Sequence, residues 1–379
     1  MRDSSDKIIS GLEGVLAFES SIAYIDGSAP ELSIRGYQIK DIVNSLTFEE
    51  MVFLLWNDKL PESTELTDFK NNLIQLREIP SSVMKFLKSV PTDASPMASL
   101  RTAVSMIGVE DMSADDISET SILRKAAKLT AVLPTLVAAQ SRIQDGKDPI
   151  EPNPDLDHAA NYYYMLQGEV PTEMIRRTLE VTLMLYAEHE TNASTFACRV
   201  VVGTLSDFYS AIVAGIGAIK GPLHGGAIED SMKMFEKIGS PEAAPQFVDQ
   251  ALASKQMLPG FGHRVYKKGD PRATELGDMA KSLGKSIGQE KWFDIAQSCE
   301  THMRNTKGII PNVDYFAAIV LYLLGFELNI MPNFVSSARI AGWSAHIMEQ
   351  YSNNRLIRPR AKYTGERGLR IKGEGNNFD

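Results

Sequence analysis

Apolar residues recur along this chain at helical spacing, and the interruptions are residues that start or stop helices. Thr47 and Glu50 form the T-x-x-E pattern of a capping box, with Met51, Val52, Leu54 and Leu55 behind it and Pro61 as the stop. Phe69, Leu73 and Leu76 continue the period until Pro80. Leu100 to Ile107, Ile122 to Ala139 and Met174 to Tyr186 read the same way, with little β-branched content. Only the alternating stretch Glu31 to Tyr37 reads as a strand. The pattern predicts an all-α fold. At 379 residues and 44% hydrophobic content the chain can bury a large core, as two domains or one with an insertion.

Residues 192–221 are rich in Ala, Gly, Ser and Val, with Gly203, Gly215 and Gly217 among them. Small residues let helices approach closely, either inside one subunit or between two. Beyond them Pro and Gly cluster at Gly221-Pro222, Pro259 to Gly262, Gly269 to Pro271 and Pro311-Asn312. These breaks predict a smaller domain over 222–320, inserted into a larger one made of 1–221 and 321–379. The tail from Gly365 is expected to be an extended or poorly ordered arm.

The formal net charge of −9 argues against nucleic acid and anionic membranes as general partners. Yet residues 255–272 carry +4 and residues 355–372 carry +6, which leaves −19 for the rest. Two basic islands in an acidic chain suggest sites for anionic small molecules. Two isolated cysteines, Cys198 and Cys299, point to a reduced compartment. The polar start, Met1 to Ser10, has no signal-peptide core, and the longest apolar run, Phe316 to Phe326, is too short to span a bilayer. A soluble, cytoplasmic protein is expected.

Several signatures match by letter and fail by context. Gly284 to Gly288 reads G-x-S-x-G, but its surroundings are Lys-rich and polar where a nucleophile elbow needs a buried strand. Gly284-Lys285-Ser286 lacks the spacing of a phosphate loop, and Gly215-x-Gly217 lacks both the third glycine and a preceding strand. No two of the six histidines lie within five residues, so no local metal motif exists and no metal is expected.

Three loops and a helix remain. His224 sits in the glycine frame Gly221 to Gly226 ahead of a helical stretch, Ala227 to Ile238. The positive end of that helix favours neutral imidazole, which can polarise a carbonyl; capping the helix is an equal alternative. Gly260 to Lys267 places glycines around Phe261 and gathers His263, Arg264, Lys267, Lys268 and Arg272. Asp314 precedes an apolar stretch and is either a partly desolvated base or, on that segment alone, a helix N-cap. Arg339 lies among Ser336, Ser337, Ala338, Ala341 and Gly342, where burial demands an anion, internal or bound. Arg358-Pro359-Arg360 pairs two guanidinium groups across a stiff proline.

Together, the segments GPLHGG (221–226), PGFGHRVYKKGDPRA (259–273), PNVDY (311–315) and RLIRPRAKYTG (355–365) resemble the citrate synthase family over nearly the whole chain. The size is similar to the short homodimeric form of archaea and Gram-positive bacteria. The resemblance implies an all-α fold with a small domain closing on a large one. It implies an acyltransferase that condenses acetyl-CoA with oxaloacetate and water in the tricarboxylic acid cycle, through an enol and citryl-CoA. Asp314 matches the base on the acetyl methyl group, His224 the group on the thioester oxygen, and His263 the group on the keto oxygen. Arg272, Arg339 and an Arg358 from the second subunit match the dicarboxylate clamps, with His189 as a further contact. Lys267 and Arg264 match the approach to the CoA phosphates. Coenzyme A enters as acyl-CoA substrate, with no tightly bound cofactor. Tyr315 to Ala318 and Ser336 to Arg339 resemble 2-methylcitrate synthases, which use propionyl-CoA. A catalytically inactive relative that binds CoA or a dicarboxylate is the alternative from another class.

Overall fold

The computed structural model describes residues 8–369; the first seven residues, the last of the second basic window and most of the Gly-rich tail lie outside them. The chain opens with three short antiparallel strands in sequence order, β1 (Ala23–Asp26), β2 (Glu31–Ile34) and β3 (Tyr37–Gln38). The single strand expected over Glu31 to Tyr37 is therefore two. Arg35 and Gly36 take positive φ, 48° and 83°, and turn the chain so that Ile34 pairs with Tyr37.

Sixteen α-helices follow among the described residues. The first ten are α1 (Ile39–Ser45), α2 (Phe48–Asn57), α3 (Ser63–Gln75), α4 (Ser81–Ser89), α5 (Pro96–Glu110), α6 (Glu119–Gln144), α7 (His158–Gln167), α8 (Glu173–Ala187), α9 (Ala193–Val202) and α10 (Phe208–Ile219). The capping box at α2 forms in both directions: Thr47 Oγ1 accepts from the Glu50 amide, and the Thr47 amide donates to Glu50. Then come α11 (Gly226–Ile238), α12 (Ala244–Ala253), α13 (Pro271–Ile287), α14 (Lys291–Lys307), α15 (Val313–Leu323) and α16 (Met331–Ser352). Residues 284–288 close α13, and Gly288 is its left-handed cap at φ 68°, so no nucleophile elbow exists there.

Helix α16 is buried almost continuously from Met331 to Ile347, against α6, α8, α9 and α2. A helix buried all round belongs at the centre of a core rather than on its surface. Gly215 resolves one of the small-residue alternatives. A Cβ there would stand 2.8 Å from Cys198 Sγ and 3.0 Å from the Trp343 ring, so this glycine lets α10 close on α9 and α16 inside one subunit. Helices α11 to α15 pack mainly on one another, and α13, α15 and α11 rest against α8 and α16. No helix among the described residues is long and apolar enough to cross a membrane.

Candidate active site

The C-terminal end of α8, the first turn of α15 and the middle of α16 form one wall. The alternative in which Asp314 caps α15 is not realised: Asn312 is the N-cap, and its Oδ1 accepts from the Asp314 amide at 3.0 Å. The Asp314 carboxylate is left to accept from the Tyr186 hydroxyl at 2.7 Å. Burial pushes its pKa above the ordinary aspartate value, against the Tyr186 hydrogen bond and the charges of Arg272 and Arg339. Arg339 is buried at 4% exposure and donates from Nε to the Tyr186 carbonyl. Burial draws its pKa down to about 10, with Glu188 the foremost charge acting in the opposite direction. Among the described residues no carboxylate lies at ion-pairing distance from Arg339, so the anion its burial demands is not supplied by direct contact.

The second part is the 259–272 loop. Gly260 and Gly262 take φ of 76° and 77°, and a Cβ at Gly260 would stand 2.8 Å from Tyr315 Cδ2 and from Ser231 Oγ. His263 Nδ1 accepts from the amides of Val265 and Tyr266, each at 3.0 Å. Nδ1 is therefore unprotonated, and neutral His263 carries its proton on Nε2. Burial, then Arg272, lowers its pKa to about 4. Asp270 joins three elements: it caps α13 at the Arg272 amide, accepts from Arg272 Nε and Nη2 at 2.9 and 2.8 Å, and accepts from the Val313 amide of α15 at 3.0 Å.

His224 comes from the third part and does not cap α11. Its Nε2 stands 2.9 Å from Ser194 Oγ, which also receives Trp343 Nε1 at 3.1 Å and lies 2.7 Å from Asn192 Oδ1. Burial, then Arg339, pulls its pKa down to about 4. His189 is buried, and its Nε2 has no hydrogen-bond partner. Burial holds it well below the ordinary histidine value, with Arg272, His263, Arg339 and His224 acting after it in that order. Its ring centroid is 5.3 Å from that of His263. Three neutral imidazoles, two buried guanidinium groups and one carboxylate of raised pKa thus meet around one buried, unsatisfied nitrogen. Such a set can bind an anion, polarise carbonyl oxygens and remove a proton from carbon.

The structure brings together His189, His224, His263, Arg272, Asp314 and Arg339. Lys267 and Arg264 are exposed at the edge of the loop; Lys267 Nζ donates to the Arg264 carbonyl at 3.2 Å, and Arg264 lies 3.6 Å from Glu13. Lys267 borders a cavity of about 180 Å³ between His263, Tyr266 and residues 308–311. Arg358 is exposed, and its side chain makes no hydrogen bond or ion pair with the described residues. Sequence reading missed Tyr186, Asp270 and Ser194. Asp270-Pro271 does carry the signal of a helix start, whereas nothing in the pattern around Tyr186 marks a partner for a carboxylate in α15. Among the described residues no His, Cys, Asp or Glu group is arranged to hold a metal.

The family described as "Citrate synthase, C-terminal domain" matches residues 11–360. Citrate synthase 2 of Bacillus subtilis is 45% identical over 356 residues, 94% of this chain and 95% of its own length. A 2-methylcitrate synthase of Mycobacterium tuberculosis is 40% identical over 364 residues, 96% and 92% of the two chains. The citrate synthase of the thermophilic archaeon Thermoplasma acidophilum, solved as a ternary complex with carboxymethyl coenzyme A and oxaloacetate, superposes with a TM-score of 0.92 at 32% identity over 97% of this chain and 99% of that one.

Proposed function

The chain belongs to the citrate synthase family, and from that premise we propose that it condenses acetyl-CoA with oxaloacetate and water to give citrate and CoA. The observation that carries the reading is Asp314, a carboxylate with raised pKa held by Tyr186 beside Arg272 and Arg339. Asp314 removes a methyl proton from the acetyl group. His224 donates to the thioester oxygen and stabilises the enol. The resulting carbon nucleophile adds to the keto carbon of oxaloacetate, whose oxygen accepts from His263 Nε2. Water then hydrolyses the citryl thioester. His189 gives its free Nε2 to the dicarboxylate, and Arg272 and Arg339 face its carboxylates.

In the same reading, residues 222–320 form a small domain closing on 1–221 and 321–379, which keeps water from acetyl-CoA until oxaloacetate is bound. Lys267 and Arg264 meet the CoA phosphates. The active form is a homodimer in which Arg358 reaches the partner's dicarboxylate. In mixed dimers, Arg358→Ala in one chain abolishes the site of the other; loss confined to the mutant chain's own site removes the sharing.

Propionyl-CoA is the second acyl donor to test, because a 2-methylcitrate synthase is 40% identical over almost the whole chain. One methylene is worth about 1–3 kcal/mol in a pocket, so both thioesters are expected to turn over at different rates. CoA release with oxaloacetate and each thioester decides between them. Release with neither identifies an inactive CoA or dicarboxylate binder.

A further inference from the structure

Behind the wall that carries Arg339 lies a second buried polar chain which no step above uses. Arg199 of α9 is 2% exposed, and its Nε donates to His346 Nδ1 of α16 at 3.1 Å. Its remaining nitrogens pair with Gln350 at 3.1 Å and with Glu349. A guanidinium only donates, so His346 Nδ1 is an acceptor and the neutral ring keeps its proton on Nε2. That proton goes to Glu188 Oε1, 3.0 Å away. Glu188 and His346 are both 0% exposed, and the other carboxylate oxygen of Glu188, Oε2, has no partner.

Glu188 lies two residues beyond Tyr186, whose carbonyl receives Arg339 Nε. Its Oε2 sits where a Cβ of Gly342 would collide, less than one turn along α16 from Arg339. The carboxylate is thus fixed against α16 near Arg339, with Oε1 engaged by His346 and no direct ion pair to the guanidinium. The other groups facing Arg339 are Tyr186 of α8, His189 just beyond it, Arg272 of α13, Asp314 of α15 and His224 of the 221–226 loop. Glu188 is foremost among the charges that keep Arg339 protonated.

We propose that Glu188 is the standing counter-charge of Arg339 in the empty site, and that the Arg199–His346 chain restrains it so that an incoming dicarboxylate can take its place. A buried cation needs an anion near it. Full pairing with Glu188 would make the site compete with its own ligand. Restraint by His346 sets a compromise: Arg339 stays charged, and its front face stays open. Affinity for the dicarboxylate is therefore held below what Arg339 alone would give. This inference rests on the assignment of oxaloacetate to the site.

Two variants of the full-length protein move the balance in opposite directions. Glu188→Gln keeps the acceptor for His346 and removes the charge, so the dissociation constant for oxaloacetate, measured by calorimetry without acyl-CoA, falls about threefold or more. Its ligand-free melting temperature drops, and oxaloacetate restores more of it than in the parent protein. His346→Leu keeps both charges and frees Oε1, so Glu188 turns to Arg339 and oxaloacetate binds about threefold or more weakly. Arg199 keeps Glu349 and Gln350 in that variant. A merely structural role for the network weakens binding in both. Weaker or unchanged binding in Glu188→Gln, or unchanged or tighter binding in His346→Leu, overturns the proposal while leaving the enzymatic reading intact. A parent protein that neither binds oxaloacetate nor releases CoA overturns both.

Discussion

The α8–α16 wall and the 259–272 loop contribute to the same site by different physical means. On the wall, Arg339, Glu188 and His346 are buried, and each is aimed by a partner on a neighbouring helix. On the loop, His263 is aimed by the backbone amides of Val265 and Tyr266, with Gly262 beside it at positive φ. Lys267 and Arg264 on the same loop remain in solvent. Burial presets protonation in both regions, but the wall aims its groups through partners on neighbouring helices, whereas the loop aims His263 through its own amides and leaves its outer cations in solvent. This division suits the two unlike ligands of the proposed reaction, a small dianion to be enclosed and a long thioester whose phosphates stay near water.

The sharpest way to break the comparison is at the wall's proposed base. Asp314→Ala should cut the rate of CoA release by about 10²–10⁴-fold, the usual worth of a positioned general base. Calorimetric binding of oxaloacetate should survive. Near-normal turnover would remove Asp314 from the base role. Next in size is Asp270, where loop meets wall. Its carboxylate and the Arg272 guanidinium are 0% and 3% exposed, so Asp270→Asn strands a buried cation. Breaking such a pair typically costs about 3–5 kcal/mol, to be read from the urea midpoint. A loss under about 1 kcal/mol would mean that the loop holds Arg272 without it.

Protonation provides the third test, spanning both regions. His189, His224 and His263 all titrate below the ordinary histidine value, the last two at about 4. Between roughly pH 6.5 and 4 the unfolded chain binds protons at these positions that the folded chain refuses, so their contribution lowers stability as pH falls through that window. Asp314, with raised pKa, has the opposite sign just above its ordinary value, where the folded chain binds the extra proton. His158, lowered by burial, adds the same sign as the three site histidines, and the raised carboxylates Glu49, Glu190 and Glu275 add that of Asp314, so the site's share is read as a difference: His263→Asn makes the fall in midpoint on acidification shallower than in the parent protein. The pH profile of kcat/KM should have no inflection near 6.5; one there would place a site histidine in ordinary solvation.

The fold class was legible because burial of helical faces leaves a 3.6-residue period, and because Thr47 with Glu50 and Pro61 mark ends locally. The hairpin was misread because alternation continues across Arg35-Gly36, and only the positive φ at both residues reveals a turn. His224, His263, Asp314 and Arg339 were legible because glycine frames or apolar neighbours made each one conspicuous. Their partners were not. Tyr186 is 128 residues from Asp314, and Glu188 is 158 residues from His346. Hydrogen bonds of that separation depend on helix packing and leave no spacing in the sequence. The capping alternatives for His224 and Asp314 could not be settled from sequence either, because Gly225 and Asn312 stand one and two residues away and fill those positions.

The smallest effect is expected at the solvent edge of the loop, and it sharpens the division most directly. Lys267 is exposed, its Nζ contacts only the Arg264 carbonyl, and its own amide is anchored to Gly27 at 3.0 Å. Lys267→Ala therefore leaves the loop path intact and removes one screened charge near the 180 Å³ cavity. An exposed charge of this kind is worth about 1 kcal/mol or less, which predicts a rise of about fivefold or less in KM for acetyl-CoA. That rise should shrink as salt is raised from 10 to 300 mM, because the Debye length falls from about 30 Å to under 8 Å. The KM for oxaloacetate and the rate at saturation should stay put. Equal rises for both substrates, or a rise indifferent to salt, would mean that Lys267 acts through His263 and not as a charge on the solvent side.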